Sequence, residues 1–540
     1  MRLLITILLA VASFVPSASY GQTMWNVTAE RGFKENGLDV FVGNVRATKD
    51  GAVITCERAE SFGDIVKLLG NVVLTKEGTR MYATDMTINK ATDIAEVRTT
   101  NGYVKIIGKD GTVLKSPFVN YKLKDEIFYF FNGGVIESDG STMEGETGTY
   151  YEKAGVAYVK NNVQVHNKEY LAIADSARYN KNEQLATVLG KIVFWHKDGV
   201  LKANKGTYHE PTKTFRLFEN SYALSKENQA WADSIVYNKE KELLYLGRNI
   251  CILDTANHGA LLGDYGFADS NREYTFMTKS AAAAMFRPKE DTLFLRADTL
   301  MAYNLRNRSS IEKDSLIRFV KALDRVRFYR EDLQGKCDSL VYNTLDSVAY
   351  MYGVPIIWNE QNQISADSIT IFTKNQKVDR AELVLNSFIV QKETEKYFNQ
   401  IKGRSMTAFF SDDNKISKVD VKGNGQTIYF VKDSTSIEGV NKASSSNISV
   451  NMEDGQVASM VFKVKPESVL YPLEKIEESD LLLKGFRWSP DNRPLNRFEV
   501  TKKIVRKSIA PEVEAIPRPQ FPIFQRINGK NLDTTIGVKN

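Results

Sequence analysis

Ala174-Asp175-Ser176-Ala177-Arg178-Tyr179-Asn180 is a phrase that this 540-residue chain repeats along its length. Close copies begin at Ala232, Cys337 and Ala366. Each copy is a short run of alternating polarity that ends in a polar turn, which is typical of a β-strand rather than a helix. Tyr and Phe are plentiful at 24 and 28 residues and Pro is scarce at 13, a balance that also favours strands.

A second phrase follows each copy. It has a glycine or asparagine and then alternating β-branched or aromatic residues, as in 190–194 and 353–358. The glycine permits a bend or bulge without a Cβ clash. Related positions of the first phrase recur at steps of 29 residues, at Glu146, Asp175, Asn204 and Asp233. Such a step predicts an all-β solenoid in which stacked repeats of about 29 residues bury one continuous core.

The first residues have the composition of a secretory signal. A basic start at Arg2 precedes the apolar run 3–15 and the small residues 17–19. This run is shorter than the roughly 20 apolar residues that a membrane span needs. We therefore predict a signal peptide over residues 1–21, with an uncleaved anchor as the alternative.

The composition argues against several classes of function. The net charge is only +6, so no nucleic-acid partner is expected. Cys56, Cys251 and Cys337 lie far apart and are odd in number, which indicates buried thiols rather than a disulfide framework or a metal site. Only four histidines occur, and no nucleophile–base or phosphate-binding motif accompanies them. We predict no enzymatic activity, no metal and no cofactor.

The organisation of the chain follows from where the repeats fade. We predict a repeat domain over residues 22–465, with a loop insertion near 304–318. Residues 466–540 form a C-terminal extension that we expect to be partly disordered, since four prolines lie among basic residues after Ile504. Within it, the cluster 502–507 could meet phosphates of an anionic lipid headgroup, although a solvated charged face is the commoner explanation.

The alternation of the two phrases resembles the OstA-like family, the lipopolysaccharide transport domain of LptA and of the N-terminal part of LptD. The resemblance spans roughly residues 25–460 and rests on Gly43-Asn44-Val45, Gly70-Asn71-Val72 and Gly190-Lys191-Ile192, paired with the Ala174 and Ala232 phrases. It implies an elongated, twisted, V-shaped β-jellyroll, here as two or more consecutive units, that clasps lipid acyl chains in its interior. The chain is several times longer than a single-domain bridge needs, which leaves its step in the pathway open.

The resemblance and the strand alternation together predict a periplasmic lipopolysaccharide-binding and transport protein with an apolar groove. Lipopolysaccharide or a related envelope lipid is the expected partner, and other β-jellyroll components could join by edge-strand pairing. Outer-membrane association, a lipid-free structural or protein-interaction scaffold, and a carbohydrate-active β-helix enzyme remain alternatives. Alternation places one set of side chains on the inner face of the groove. They are Val163, Val165, Ile192, Phe194, Ile235, Tyr237, Ile250, Ile252, Leu340, Tyr342, Ile356, Trp358, Ile369, Ile371, Phe388 and Val390.

Overall fold

The computed structural model describes residues 25–529, apart from 101, 139, 198, 226–227, 257, 288–289, 307–315, 344, 375–376, 434–435 and 454. These residues form two compact units. Unit 1 holds residues 25–165 and 521–529, and unit 2 holds residues 166–520. The predicted signal peptide 1–21 lies outside the described residues. Within the described ranges, every helix is too short or too polar to cross a membrane.

The first fifteen strands of the described residues are 3–12 residues long. They are β1 (Asn26–Thr28), β2 (Arg31–Glu35), β3 (Leu38–Lys49), β4 (Ala52–Phe62), β5 (Ile65–Lys76), β6 (Thr79–Asn89), β7 (Ile94–Arg98), β8 (Val104–Ile107), β9 (Val113–Ser116), β10 (Phe118–Lys122), β11 (Ile127–Phe131), β12 (Gly134–Ser138), β13 (Ser141–Gly145), β14 (Thr147–Tyr151) and β15 (Val156–His166).

Unit 2 continues with strands of up to 17 residues. They are β16 (Tyr170–Asn180), β17 (Leu185–His196), β18 (Gly199–His209), β19 (Thr214–Leu224), β20 (Asn228–Asn238), β21 (Leu243–Asp254), β22 (Gly259–Asp269), β23 (Tyr274–Thr278), β24 (Ala282–Arg287), β25 (Glu290–Arg296), β26 (Thr299–Arg306), β27 (Leu316–Arg330), β28 (Leu333–Asn343), β29 (Val348–Tyr352), β30 (Ile356–Asn359), β31 (Asn362–Ser365), β32 (Ser368–Lys374), β33 (Lys377–Lys392), β34 (Phe398–Phe410), β35 (Ile416–Lys432), β36 (Ile437–Glu453), β37 (Gln456–Lys463) and β38 (Glu467–Pro472).

In the part of the chain that the structure describes, the helical turns all follow the last strand. They are the 3₁₀ turns Leu473–Lys475, Glu478–Leu481 and Pro490–Asn492, and the helices α1 (Arg497–Val500), α2 (Ala510–Glu514) and α3 (Pro522–Asn528). The all-β prediction is confirmed. Successive strands pair antiparallel, as in β16–β17, β17–β18 and β18–β19. The repeat step is visible in the strands themselves, because β16, β18 and β20 begin at Tyr170, Gly199 and Asn228.

Long strands bend once near their middle. In β17, Gly190 and Lys191 both adopt positive φ, and the pairing with β18 skips from Leu189 to Ile192. In β21 the same skip falls at Arg248 and Asn249. A pair of left-handed residues inserted into a ladder is a β-bulge, which bends the strand. The bend divides each repeat of unit 2 into arm A, such as Leu185–Leu189, and arm B, such as Ile192–His196.

The two repeated phrases meet at this bend. The second left-handed residue is often asparagine, and its side-chain amide donates to the acid that begins the preceding phrase. Asn249 Nδ2 lies 3.0 and 3.1 Å from the carboxylate oxygens of Asp233, and Asn386 Nδ2 lies 3.1 Å from both oxygens of Asp367. Asn44 and Asn71 bind Glu30 and Glu57, and Asn162 binds Glu146, in the same way. The recurring acid and asparagine therefore form a side-chain clasp across these five bends.

The glycine at the bend is required by both its φ and its neighbour. At Gly70, φ is +75°, and an added Cβ would overlap the Glu57 carboxylate. Gly51 has φ of +76° in an open turn, with nothing within 4 Å of an added Cβ. We expect Gly51→Ala to cost about 1–2 kcal/mol of backbone strain alone, and Gly70→Ala to cost about 1–3 kcal/mol more as the clasp is displaced. Chemical denaturation of both variants measures the difference, and equal losses would contradict the role of the clasp.

The boundaries of the repeat region differ from the sequence prediction in detail. The predicted insertion near 304–318 begins and ends in strands, since Asn304 pairs with Arg318 and Arg306 with Leu316. Its central residues, 307–315, lie outside the described residues. The extension predicted from residue 466 starts with β38, which pairs with β36. The described part of that extension then runs against the strands, through contacts given below.

Candidate functional site

The inner face of unit 2 is an apolar surface shared by the two arms. Ile235 of arm A pairs with Leu217 and Leu246, and all three belong to one buried cluster with Ile250 of arm B. Phe194 of arm B and Phe215 of arm A touch across the bend, with ring centroids 5.6 Å apart. This contact spans strands that the bend has turned toward one another, so the arms enclose a groove, defined here as the space between the inner faces of arms A and B.

Between β17 and β22, burial of the inner face decreases along the arms with distance from the bend. Ile235 and Ile250, beside the bend, are 4% and 1% exposed. Two residues farther out on the same face, Tyr237 is 37% exposed and Ile252 is half-buried. Phe194 and Phe215 are also half-buried. The groove therefore has a sealed floor and a large apolar lining that reaches solvent at its mouth between β17 and β22.

The groove narrows toward β33–β36. There the inner-face residues of arm A that lie far from the bend are small and fully buried, with Ala408 and Val450 both 0% exposed. Polar contacts join the tips of the two arms: Asn359 Nδ2 donates to the Asn414 carbonyl at 3.1 Å, and Gln391 Nε2 to the Gly455 carbonyl at 2.6 Å. The cavity remaining among the side chains of β33–β37 is about 20 Å³. This end of the groove is filled by its own residues.

Ten of the sixteen predicted lining residues lie on the inner face of unit 2 or directly beside it. In unit 2, Ile192, Phe194, Ile235, Tyr237, Ile250 and Ile252 line the first part of the groove. Leu340, Tyr342, Ile369 and Ile371 follow on arm A, with Ile369 and Ile371 inside the buried cluster and Leu340 packed against it. Val163 and Val165 belong to unit 1, where Val163 is buried just after the left-handed pair Asn161 and Asn162.

Four predicted residues are corrected: Ile356, Trp358, Phe388 and Val390 lie on the opposite face. The inner cluster contains their neighbours Ile357 and Ile389 instead. Phe388 and Val390 follow a bend at Leu385 and Asn386 that has no glycine to count from. For Ile356 and Trp358 the reason is the position of the glycine relative to the bend. In β21, Gly247 precedes the left-handed pair, whereas Gly353 is itself the first member of its pair. Counting from the glycine therefore shifts the alternation by one residue, and a one-residue shift moves every side chain to the other face.

The outer face of arm B is covered by the C-terminal extension, which sequence reasoning missed. Val513 of α2 is fully buried in a cluster with Trp231, Cys251 and Leu262. Gln229 binds this segment twice, donating to Ser508 Oγ at 2.7 Å and accepting from the Ile509 N–H at 3.0 Å. The signal available in the sequence is the apolar spacing of 505, 509, 513 and 516, which the flanking prolines outweigh when the extension is predicted to be partly disordered.

The same extension continues over the later strands. Gln363 accepts from the Ser489 N–H at 2.9 Å and donates to the Arg487 carbonyl at 2.7 Å. The Phe388 ring contacts that of Phe486 with centroids 6.4 Å apart. These contacts explain why an apolar residue such as Trp358 is buried although it faces away from the groove.

Unit 1 has a more tightly filled interior. The rings of Tyr121 and Phe128 stack with centroids 4.3 Å apart, and both are almost fully buried. Burial is the main cause that raises the pKa of the Tyr121 phenol. Strand ends of this unit also meet, since Lys76 Nζ lies 2.6 Å from the carboxylate of Glu126. In this region aromatic side chains occupy the space that the open groove offers in unit 2.

The described side chains show no arrangement suited to metal binding, since no three His, Cys, Asp or Glu groups converge among them. The predictions that the chain has no catalytic activity, no metal and no cofactor stay predictions. What the arrangement can do chemically is to hold apolar groups without forming bonds to them.

Comparison with known proteins confirms the family resemblance for the N-terminal part of the chain. Residues 24–175 match the family model described as OstA-like protein. Among solved structures, a match is LptH, the LptA homologous periplasmic component of the conserved lipopolysaccharide transport device from Pseudomonas aeruginosa. The identity is 12%, the match covers 31% of this chain and 82% of that chain, and the TM-score is 0.09. A search of curated proteins returned no match.

Proposed function

We propose that the open part of the groove in unit 2 holds the acyl chains of lipopolysaccharide or a related envelope lipid during transfer toward the outer membrane. The observation that carries this proposal is the exposure gradient on the inner face. Phe194, Phe215, Tyr237 and Ile252 present apolar surface to solvent beside a sealed floor. A lipid chain lying between the arms would cover that surface.

The energetic reason is simple. Exposing an acyl chain to water costs about 0.8 kcal/mol for each CH₂ group, so a chain of a dozen carbons needs a continuous apolar partner. A groove open along its mouth supplies this partner while a charged sugar headgroup remains hydrated. Release then requires no chemical step, since no covalent bond holds the lipid.

The OstA-like match of residues 24–175 supports the same role, because the family resemblance implies lipopolysaccharide transport. Under this proposal the chain works in the periplasm, and its partners are the lipid and other transport components with exposed strand edges. An outer-membrane association and a cleaved signal peptide belong to the same proposal.

Site-specific photo-crosslinking tests the groove. A photoreactive aromatic residue is placed at position 194, 215 or 237 in the full chain, which is then mixed with purified lipopolysaccharide and irradiated. We expect lipid adducts at these three positions. Position 216 is the matched control, because Arg216 neighbours Phe215 but points to the exposed outer face, and position 182 in an exposed turn is a second control. Adducts at 216 and 182 as strong as those at 215 would refute the proposal.

A lipid-free scaffold is the second candidate function, and the filled end of the groove near β33–β36 is the observation that favours it. If the whole groove closed on itself in solution, positions 194, 215 and 237 would give protein–protein or intramolecular adducts only. Such an outcome would move the function to the loops and the outer surface.

A further inference from the structure

A second site lies on the outer side of arm B, away from the groove. An open cleft of about 1050 Å³ separates arm B from residues 498–506 of the C-terminal extension. Its lining is rich in cations, namely Arg296, Arg325, Arg327, Lys502, Lys503 and Arg506. The sequence cluster 502–507 thus faces arginines from distant strands, which only folding brings together.

The acids near this cleft are already engaged. Asp298 receives two hydrogen bonds from Arg325 Nε, at 3.0 and 2.9 Å, and one from Arg325 Nη2 at 2.7 Å. Asp264 binds Lys503 Nζ at 2.5 Å. Glu499 accepts from the Leu495 N–H and from Asn496 Nδ2, each at 3.1 Å. Asp298 and Asp264 each pair with one of the six cations, and Glu499 adds a third negative charge, so three of the six positive charges are in excess.

Arg296 and Arg327 are the centre of the remaining charge. They are directly opposite partners in the β25–β27 ladder, and both are half-buried. Throughout the described ranges, neither guanidinium forms an ion pair with a carboxylate. Like charges at directly opposed ladder positions are destabilising, so this pair costs stability unless an anion lies between the two. Two guanidinium forks that face one anion match the geometry of bidentate phosphate recognition.

We propose that this cleft binds a phosphate group between Arg296 and Arg327, with Lys502 and Arg506 closing the site from the extension. The cleft volume exceeds what inorganic phosphate would fill, so it has room for a larger phosphorylated ligand such as a sugar phosphate. Phe498, 56% exposed on the same lining, offers a ring against which such a body would rest. A phosphorylated lipid headgroup and a soluble sugar phosphate share this chemistry. The site does not depend on lipid binding in the groove.

The test uses the full chain and two probes at constant ionic strength. Glucose 6-phosphate is titrated by calorimetry, and vesicles of phosphatidylcholine with phosphatidic acid are tested by co-sedimentation. The variant is Arg296→Gln/Arg327→Gln. Its control is Arg216→Gln/Arg272→Gln, which removes the same charge from exposed residues outside the cleft. A second variant, Lys502→Gln/Arg506→Gln, changes only exposed residues of the extension and leaves the strands intact.

We expect saturable binding by the unaltered protein and the control, at least tenfold weaker in both cleft variants. Binding of glucose 6-phosphate assigns a soluble ligand, and binding of vesicles alone assigns a lipid headgroup. Without ligand, Arg296→Gln/Arg327→Gln should melt no lower than the unaltered protein, because a like-charge repulsion is removed. Failure of both probes to bind, or equal losses in the control, overturns the site, whatever the crosslinking of the groove gives.

Discussion

Replacing Trp358 with alanine is expected to lower the free energy of unfolding by about 3–5 kcal/mol, the range for removing a large buried side chain. Trp358 is 0% exposed and is the largest of the fully buried side chains in the described structure. It pairs with Gln334 on one side and Gln363 on the other. Both glutamines hold the C-terminal extension, since Gln334 accepts from Arg493 Nε at 2.8 Å and Gln363 binds the backbone at Arg487 and Ser489. A cavity at 358 therefore weakens the core and its cover together.

Trp358→Phe is the matched variant. In the described structure the indole Nε1 is buried without a hydrogen-bond acceptor. Phenylalanine keeps most of the ring and removes the unpaired N–H, whose burial costs about 1–3 kcal/mol. We expect this variant to stay within about 1 kcal/mol of the unaltered protein, because the smaller ring and the relieved donor offset one another. Urea denaturation followed by circular dichroism measures both variants, and a loss in Trp358→Phe equal to that in Trp358→Ala would contradict this account.

The second large effect is expected at Val513, whose replacement by aspartate should detach the extension from the outer face of arm B. Val513 is 0% exposed against Trp231, Cys251 and Leu262. Burying an unpaired carboxylate there costs several kcal/mol. The antiparallel ladders of β19–β22 do not depend on α2, so local release of the extension is expected in place of global unfolding.

Cys251 reports this release directly. Its thiol is 2% exposed and accepts from the Arg506 N–H at 3.5 Å, and burial raises its pKa. In a Cys56→Ala/Cys337→Ala background, Val513→Asp should raise the rate of thiol labelling at Cys251 at least tenfold, because exposure also returns the pKa toward its ordinary value. Glu512→Ala, an exposed change on the same helix, is the control. Unchanged labelling in Val513→Asp would mean that the extension does not protect this face.

Trp358 and Val513 both lie on the side of arm B that is closed to solvent. Because this outer side is covered, the exposed apolar residues of arm B lie at the groove. An unprotected arm would expose apolar residues on both faces, which is an aggregation risk for any sheet. The extension covers the outer residues around Trp231 and Phe388. In unit 2, these outer apolar residues are therefore covered, while the apolar residues at the mouth of the groove stay exposed.

The sequence alone predicted the class of fold and the repeating unit. The Asp-Ser and Gly-Asn phrases indicated stacked strands because each carries local chemistry: a turn acid, a left-handed pair and a period of two. The structure adds the reason that the phrases occur together, since Asn249 closes on Asp233 across the bend. Signals of this kind can be detected in the sequence because the paired acid and asparagine lie only 14–19 residues apart.

The lining of the groove was only partly predictable. The alternation places Ile192 and Ile250 on the inner face, as the structure does, but it also places Trp358 and Phe388 there, and the structure has both on the opposite face. Alternation along a strand determines that neighbouring side chains point to opposite faces. At each bulge, however, the choice of which neighbour points inward is set anew, and this choice is the phase of the alternation. That phase depends on which two residues adopt positive φ, as Gly353 and Val354 do.

The amino-acid sequence alone predicts the all-β repeat, contains the OstA-like phrases and shows no strong charge bias. Only the tertiary structure decided that the extension covers arm B, that the groove fills near β33–β36, and that Arg296 faces Arg327. The physical reason is distance along the chain. Strand formation and turns depend on neighbours within one repeat, while covering a face or opposing two charges depends on contacts such as Gln229 with Ser508, 279 residues apart.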